Sequence, residues 1–282
     1  IHSHIDAMST LPLAGAKQAG IPVRIAHSHN TSFPHDRRYP LRLVAQLLLP
    51  FQATHYFACS TQSAEFLFPS WIIRSGNFTV LPNAIPLEQF TYSPTNRQRK
   101  RNEMGIPEEA FVIGHVGRFC SQKNHEKLVR VFAEIHRRHA GSLLLLAGQG
   151  ELQEKIVGLC EELKLGNTVR FLGIRSDIEQ LMQAFDLFIL PSFYEGFPVV
   201  GVEAQAADLP CLFSGQIKKD IALTVNVRFL PLRAPDTVWA DNALELRRTV
   251  RKDRSEELAK QGFDIRRQAK RMEEFYQSVG GG

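Results

Sequence analysis

Paired cysteine spacing is missing from this sequence. Its four cysteines, Cys59, Cys120, Cys160 and Cys211, stand far apart, which argues against a disulfide framework or a zinc ribbon and fits thiols that fill a core in a reducing compartment. No apolar run reaches the ~18 residues of a membrane-spanning helix and no secretory signal pattern is seen, so a cytoplasmic location is expected. There is no Asp-x-Asp pair to hold a divalent metal, and no phosphate-binding P-loop. The run "GQGELQ" imitates a dinucleotide fingerprint, but Gln153 stands where the third glycine belongs, so a nicotinamide enzyme is not expected.

What is present is an ordinary globular composition. The 282 residues are 44% hydrophobic and 22% charged, with a net charge of +5; the basic excess fits either an anionic ligand or surface or a plain solvated face. Residues 1–29 read as strand, helix and strand ("IHSH", "DAMSTLPLAGAKQAG", "IPVRIAHSH"), and because the first strand opens without context, an incomplete first domain is expected. The polar run "NRQRKRNE" (96–103) reads as a linker. Beyond it, short apolar strands ("FVIGHVG", "SLLLLAG", "TVRFLG", "DLFILPS", "CLFS") alternate with amphipathic helices, one opened by a capping box of Ser176 and Glu179. The pattern predicts an α/β chain of two doubly wound, parallel-sheet domains: a partial one over 1–95, a second over 96–254, and a helical region over 255–282 that returns to the first.

Ligands of such sheets sit at the carboxyl ends of the strands. There the loop after "FVIGHVG" offers Gly117, Arg118 and Lys123, a close backbone approach with a forked and a point cation that suits a diphosphate; the alternative is a solvent-facing loop with two ordinary cations. The stretch "SFYEGFPVVGVEA" sets Pro198 at the start of a helix, leaving the amides near Phe197 to Val200 without intrahelical partners and open to phosphate. Glu203 sits ~7.5 Å deeper along that helix and Glu195 stays in the mouth. One carboxylate could accept from the vicinal hydroxyls of a ribose while the other meets a sugar; the plain alternative is an exposed helix residue and a loop charge. "HSH" occurs twice, as His2/His4 and His27/His29. Residues i and i+2 of a strand share a face, so either pair could ligate a metal as in a hydrolase. No acidic cluster completes a shell around either pair, so no metal site is expected, and His2 and His4 are read as strand-end histidines satisfied by backbone.

"HVGRFCSQKNHEKLV" followed by "FYEGFPVVGVEA" resembles the Gly-x-x-Arg/Lys loop and the Glu-x7-Glu motif of glycosyltransferase family 4, the glycosyl transferases group 1 with two facing Rossmann-like domains (GT-B type). "LPNAIPLEQF", "LLAGQGEL", "VRFLGIRSDIEQLM" and "DLFILPS" follow in that family's order, and "VRIAHSHN" is most similar to its bacterial exopolysaccharide and capsule branch. The resemblance implies a retaining, metal-independent hexosyltransferase without an organic cofactor, which takes a sugar from a nucleotide sugar, a UDP-sugar, to a saccharide or lipid-linked saccharide. It implies that Gly117, Arg118 and Lys123 meet the donor diphosphate, Glu203 the ribose, and Glu195 with Gly196, Phe197, Pro198 and Val199 the transferred sugar and phosphates. His27, with His29 as the fallback, would stand at the acceptor or the sugar's primary hydroxyl. Ala84 replaces the glycine of the family's Pro-Asn-Gly. No nucleic-acid partner is implied. "YPLRLVAQLLLPF" (39–51), with Arg37, Arg38 and Arg42, is either a peripheral membrane contact or a helix packed into the first domain. A non-catalytic sugar-nucleotide binder is the competing function.

Overall fold

The computed structural model describes residues 1–33 and 36–280. The chain divides into two compact units, Ile1–Ala84 with Gly262–Gly282, and Ile85–Gln261. In the first, β1 (His2–Ser3), α1 (Thr10–Gln18), β2 (Ile25–Ser28), α2 (Tyr39–Leu48), β3 (His55–Ala58), α3 (Thr61–Leu67), α4 (Ser70–Ser75) and β4 (Thr79–Val80) follow one another. The four strands form a parallel sheet in the order β1-β2-β3-β4. Leu13, Ala26, Leu49, Leu67 and Ile72 are buried together in its core.

The second unit begins with α5 (Leu87–Phe90) and α6 (Pro94–Glu103). It continues through β5 (Phe111–Val116), α7 (His125–Arg138), β6 (Ser142–Ala147), α8 (Gln153–Glu162), β7 (Val169–Gly173), α9 (Ile178–Ala184), β8 (Leu187–Leu190), α10 (Val199–Ala206), β9 (Cys211–Ser214), β10 (Val227–Leu230), α11 (Asp236–Leu246) and α12 (Ser255–Lys260). A last helix, α13 (Ile265–Gly280), belongs to the first unit. The six strands order as β10-β9-β8-β5-β6-β7, all parallel. Their residues are mostly apolar because helices cover both faces, with His115 in β5 and Arg170 and Arg228 in the outer strands β7 and β10 as exceptions. Leu128, Val131, Phe132 and Ile135 of α7 pack with Leu144, Leu146, Leu187, Ile189 and the buried Trp239 in one core.

The expectation of doubly wound parallel sheets agrees with this architecture, while two local expectations change. Residues 96–103 are not a linker but most of α6, capped by the Ser93 hydroxyl, which accepts from the Asn96 amide. This helix lacks an apolar stripe because its anchors are charged. Lys100 is buried between Glu103 and Asp177, and Arg101 is buried with its guanidinium 2.6 Å from Asp186. The Ser176/Glu179 capping box does not form: Asp177 takes the cap position of α9, without a side-chain cap bond, and its carboxylate is held by Arg175 and Lys100. Those two cations hold that carboxyl well below its usual range, hydrogen bonding to Arg175 being the larger cause. Ion pairing outcompetes a local cap because both partners are already partly desolvated.

Asp186 also accepts from Arg97 and from the Val112 amide at the start of β5. Removing one side of a desolvated pair leaves an uncompensated charge. Asp186→Ala is therefore expected to cost about 3–5 kcal/mol, measured by urea unfolding; a loss below about 1 kcal/mol would show that α6 is held by other means.

Candidate functional site

In the sheet of the second unit, β5 lies between β8 and β6: the chain runs outward from β5 through β6 to β7, then crosses back to β8 and runs outward on the other side. The crevice between the carboxyl ends of β5 and β8 is the topological switch point, where a doubly wound sheet has room for a ligand. The loops after these two strands meet there. The Phe193 amide donates to the Gln122 carbonyl (2.8 Å), the Gln122 side-chain amide to Tyr194 O (3.0 Å) and Glu195 Oε2 (3.2 Å), and Asn124 Nδ2 to Pro191 O (3.2 Å). Asn124 does this from a left-handed conformation (φ 53°), while its side-chain oxygen caps α7. At the centre, Lys123 Nζ lies 2.7 Å from Glu195 Oε1, both side chains largely buried, at 16% and 7% exposure.

The neighbouring loop, after β6, is set by glycines. A Cβ on Gly148 (φ +135°) would stand 2.1 Å from the Gly117 carbonyl oxygen, and one on Gly150 2.4 Å from the Phe119 carbonyl oxygen. Only glycine lets this loop lie against residues 117–119, where Phe119 N donates to Gln149 O and Leu152 N to Phe119 O. Gly117 has a related reason: a Cβ there would crowd His115 Nε2 at 3.1 Å and the Lys123 methylenes at 3.3 Å. Arg118 differs from Lys123. Its side chain is exposed and reaches Glu151 at 3.1 Å across solvent.

α10 opens at Pro198, the cap residue, with no side-chain cap bond. It is fixed from behind by buried Gln205, whose amide donates to Gly201 O and Ile221 O and whose carbonyl accepts from the Leu223 and Thr224 amides. Glu203 is partly buried on this helix, and its carboxylate accepts no hydrogen bond among the described residues. Burial, and then the charge of Glu179, raise its pKa above the ordinary carboxylate value.

The structure thus brings Gly117, Lys123 and Glu195 together where the loops after β5 and β8 meet, with Arg118 exposed beside them; Gly196 to Val199 follow Glu195 into α10, and Glu203 lies further along that helix. His27 lies in the other unit, in β2, and is buried. The His2 and His4 rings are satisfied by neighbouring side chains rather than by backbone: His2 contacts Tyr276 Oη and His27, and His4 contacts His29.

Two residues of the crevice escaped the sequence analysis. His115, fully buried in β5, holds Ile189 O of β8 with Nδ1 (2.8 Å), and His125 stacks on Phe119 at 4.1 Å. The imidazoles meet edge to face at 4.7 Å. Burial and then the charge of His125 depress His115 well below its usual pKa; burial and then Lys123 lower His125 to about 4. A histidine inside the apolar run "FVIGHVG" was the available signal.

Residues 96–217 match the family described as "Glycosyl transferases group 1". Over 272 residues the chain is 37% identical to the glycosyltransferase EpsF of Bacillus subtilis, covering 94% of this chain and 71% of that protein. It is 28% identical over 220 residues to the UDP-Gal:alpha-D-GlcNAc-diphosphoundecaprenol alpha-1,3-galactosyltransferase of Escherichia coli, covering 76% of this chain and 57% of that one. The crystal structure of Anabaena HepE in complex with UDP superimposes with a TM-score of 0.77 at 23% identity, covering 96% of this chain and 76% of HepE; HepE is also known in complex with UDP-glucose. With its two parallel α/β sheets and its likeness to EpsF, the chain belongs to the glycosyl transferases group 1 and has the GT-B glycosyltransferase fold.

Proposed function

We propose that this chain moves a hexose from a UDP-sugar to a lipid-linked saccharide with retention of anomeric configuration, as a family 4 enzyme of exopolysaccharide or capsule assembly. The observation that carries this is the Lys123–Glu195 pair at the β5/β8 switch point; the helix that follows Glu195 in the chain opens without a side-chain cap and carries Glu203, whose carboxylate accepts no hydrogen bond among the described residues. The names of two relatives support the substrates: HepE is bound to UDP and to UDP-glucose, and the Escherichia coli enzyme is named for a UDP sugar and a diphosphoundecaprenol acceptor.

An ammonium has three donors. Glu195 takes one, which orients Nζ and leaves two for the diphosphate. Arg118 swings in at small cost, because exposed pairs such as its contact with Glu151 are worth ~0–1 kcal/mol. The open amides at the start of α10 add partial positive charge. Glu203 supplies the acceptor that a ribose diol needs, and Glu195 a carboxylate facing the sugar. As the bond from the anomeric carbon to the diphosphate oxygen breaks, its electron pair goes to that oxygen, the acceptor hydroxyl oxygen bonds to the anomeric carbon on the same face and gives its proton to the departing diphosphate, and the cations stabilise the charge more in the transition state than in the bound donor. His27 serves at the acceptor or the sugar's primary hydroxyl.

The acceptor side draws on α2. Of its residues only Ala45 is buried, while Leu41, Val44, Leu47 and Leu48, and Phe51 after it, are exposed large apolar side chains, with Leu11 of α1 also exposed. Arg37, Arg38 and Lys17 are exposed cations in the same unit. No helix among the described residues is long and apolar enough to cross a membrane. An apolar helix face with basic neighbours suits the surface of an anionic bilayer, where a lipid-linked acceptor resides, and we place the protein at the inner face of the plasma membrane.

Three variants test the donor site by calorimetry with UDP and UDP-sugar and by turnover at saturating donor. Glu203→Ala should weaken both ligands about 10- to 100-fold, the worth of hydrogen bonds to a charged group. Glu195→Ala, which takes from Lys123 its buried partner, should weaken UDP less than Glu203→Ala does but lose turnover; equal weakening of UDP by both substitutions would refute the separate roles. Lys123→Ala should lose about 100- to 1000-fold in turnover with a smaller loss of donor affinity, and near-normal turnover would remove Lys123 from the chemistry. Tight donor binding with neither transfer nor hydrolysis in the unsubstituted protein would favour a non-catalytic binder.

The membrane contact is tested by flotation with phosphatidylglycerol vesicles. Leu47→Glu with Phe51→Glu should abolish co-flotation, and raised salt should weaken it in the unsubstituted protein. Binding unaffected by the double substitution would reassign the α2 face.

A further inference from the structure

We infer that the carboxyl edge of β1 and β2 carries a binding site for one divalent cation of zinc-like chemistry, held by His2, His4 and His27 with His29 at its rim. Considered separately, each "HSH" offers two ligands, too few for a site. The sheet changes that count. β1 pairs with β2 in parallel, His2 opposite Ile25 and Ser3 opposite Ala26, and residues two apart on a strand share a face. All four imidazoles therefore project from one side at the strand ends.

Their packing is close. Ring centroids lie 4.2 Å apart for His2 and His4, 4.2 Å for His27 and His29, 5.1 Å for His2 and His27, and 4.8 Å for His4 and His27. One ring nitrogen from each of His2, His4 and His27 falls within 4.8 Å of the other two. Zinc–nitrogen bonds of about 2.0–2.1 Å in tetrahedral geometry put neighbouring ligand nitrogens about 3.4 Å apart. His2 Nε2 and His27 Nδ1, 3.1 Å apart, are near that spacing already. His4 is exposed, so rotation of its ring can bring the third nitrogen in.

The surroundings also suit a cation. His2 Nδ1 is 2.7 Å from Tyr276 Oη, an outer contact that turns Nε2 toward His27, as outer partners of metal-binding histidines do. Asp6 accepts from the His29 amide (2.7 Å) and from Asn30 Nδ2 (2.6 Å), which steadies the backbone at the rim. His27 is 2% exposed and its Nε2 has no partner among the described residues. Burial first, then the neighbouring imidazoles, lower His2 to about 4 and His27 to about 2; burial and His29 lower His4. A set of imidazoles without a carboxylate ligand selects Zn²⁺, Co²⁺, Ni²⁺ or Cu²⁺ over Mg²⁺ or Ca²⁺. Gly117, Arg118, Lys123, Glu195 and Glu203 belong to the other unit, and His27 is the one residue this site would share with the proposed transfer site.

The test is titration of the metal-free 282-residue chain with Co²⁺, followed by the visible bands of imidazole-bound cobalt, and then calorimetric titration with Zn²⁺. One Zn²⁺ per chain is expected, with no displacement by millimolar Mg²⁺. Tyr276→Phe should lower Zn²⁺ affinity by about 10- to 100-fold, the usual cost of losing an outer contact, and His4→Ala by at least as much. Melting curves of the exposed-site variant His4→Ala should match the unsubstituted protein, and His136→Ala should bind Zn²⁺ normally. Absence of stoichiometric binding, or an affinity unchanged in His4→Ala, would overturn the site.

Discussion

The ion pair between Lys123 and Glu195 joins segments 72 residues apart at the one place where the sheet divides, and the second unit's crevice is organised around it. Both side chains are largely withdrawn from water. Desolvation makes either charge costly without the other, so the two loops are held together less by the net strength of the pair than by the penalty for separating it. Gln122 and Asn124 add neutral hydrogen bonds between the same loops. The ammonium therefore occupies a fixed place before any ligand arrives, and fixed charge is worth more to a reaction than charge that must reorganise.

A second constraint, steric rather than electrostatic, sets the adjoining wall. Gly148 and Gly150 let the loop after β6 lie against the carbonyls of Gly117 and Phe119 at distances no side chain permits. On the other side of that peptide, a Cβ on Gly117 would crowd His115 at 3.1 Å and the Lys123 stem at 3.3 Å. Backbone shape and charge placement are thus one arrangement: a residue that forced the glycine loop outward would also shift the peptide that leads into Lys123.

These features explain what the sequence revealed. The alternation of strands and helices was legible because buried parallel strands are mostly apolar and their helices carry a stripe, and the loops that carry Lys123 and Glu195 do meet. Pairings were not legible. Nothing local to "NRQRKRNE" announces that Lys100 and Arg101 will be buried against Asp177 and Asp186 from distant segments, so a helix held by charge has the sequence pattern of a linker. Ser176 lost its capping role for the same reason, Asp177 being claimed by cations on both sides. The meeting of the two "HSH" pairs depends on strand register, which no single strand encodes.

The histidines beside the donor crevice complete the electrostatic argument. His115 and His125 sit next to Lys123, deep enough that burial alone disfavours their protonation, and the ammonium disfavours it further. The floor of the crevice is consequently neutral at physiological pH, and its positive charge is concentrated on Lys123, with Arg118 movable at the rim. A floor of imidazolium would compete with Lys123 for Glu195 and for any phosphate, and would spread the attraction over sites away from the breaking bond. Keeping two basic rings uncharged lets one cation define where negative charge is stabilised, and His115 at the same time ties β5 to the Ile189 carbonyl of β8 directly beneath the pair.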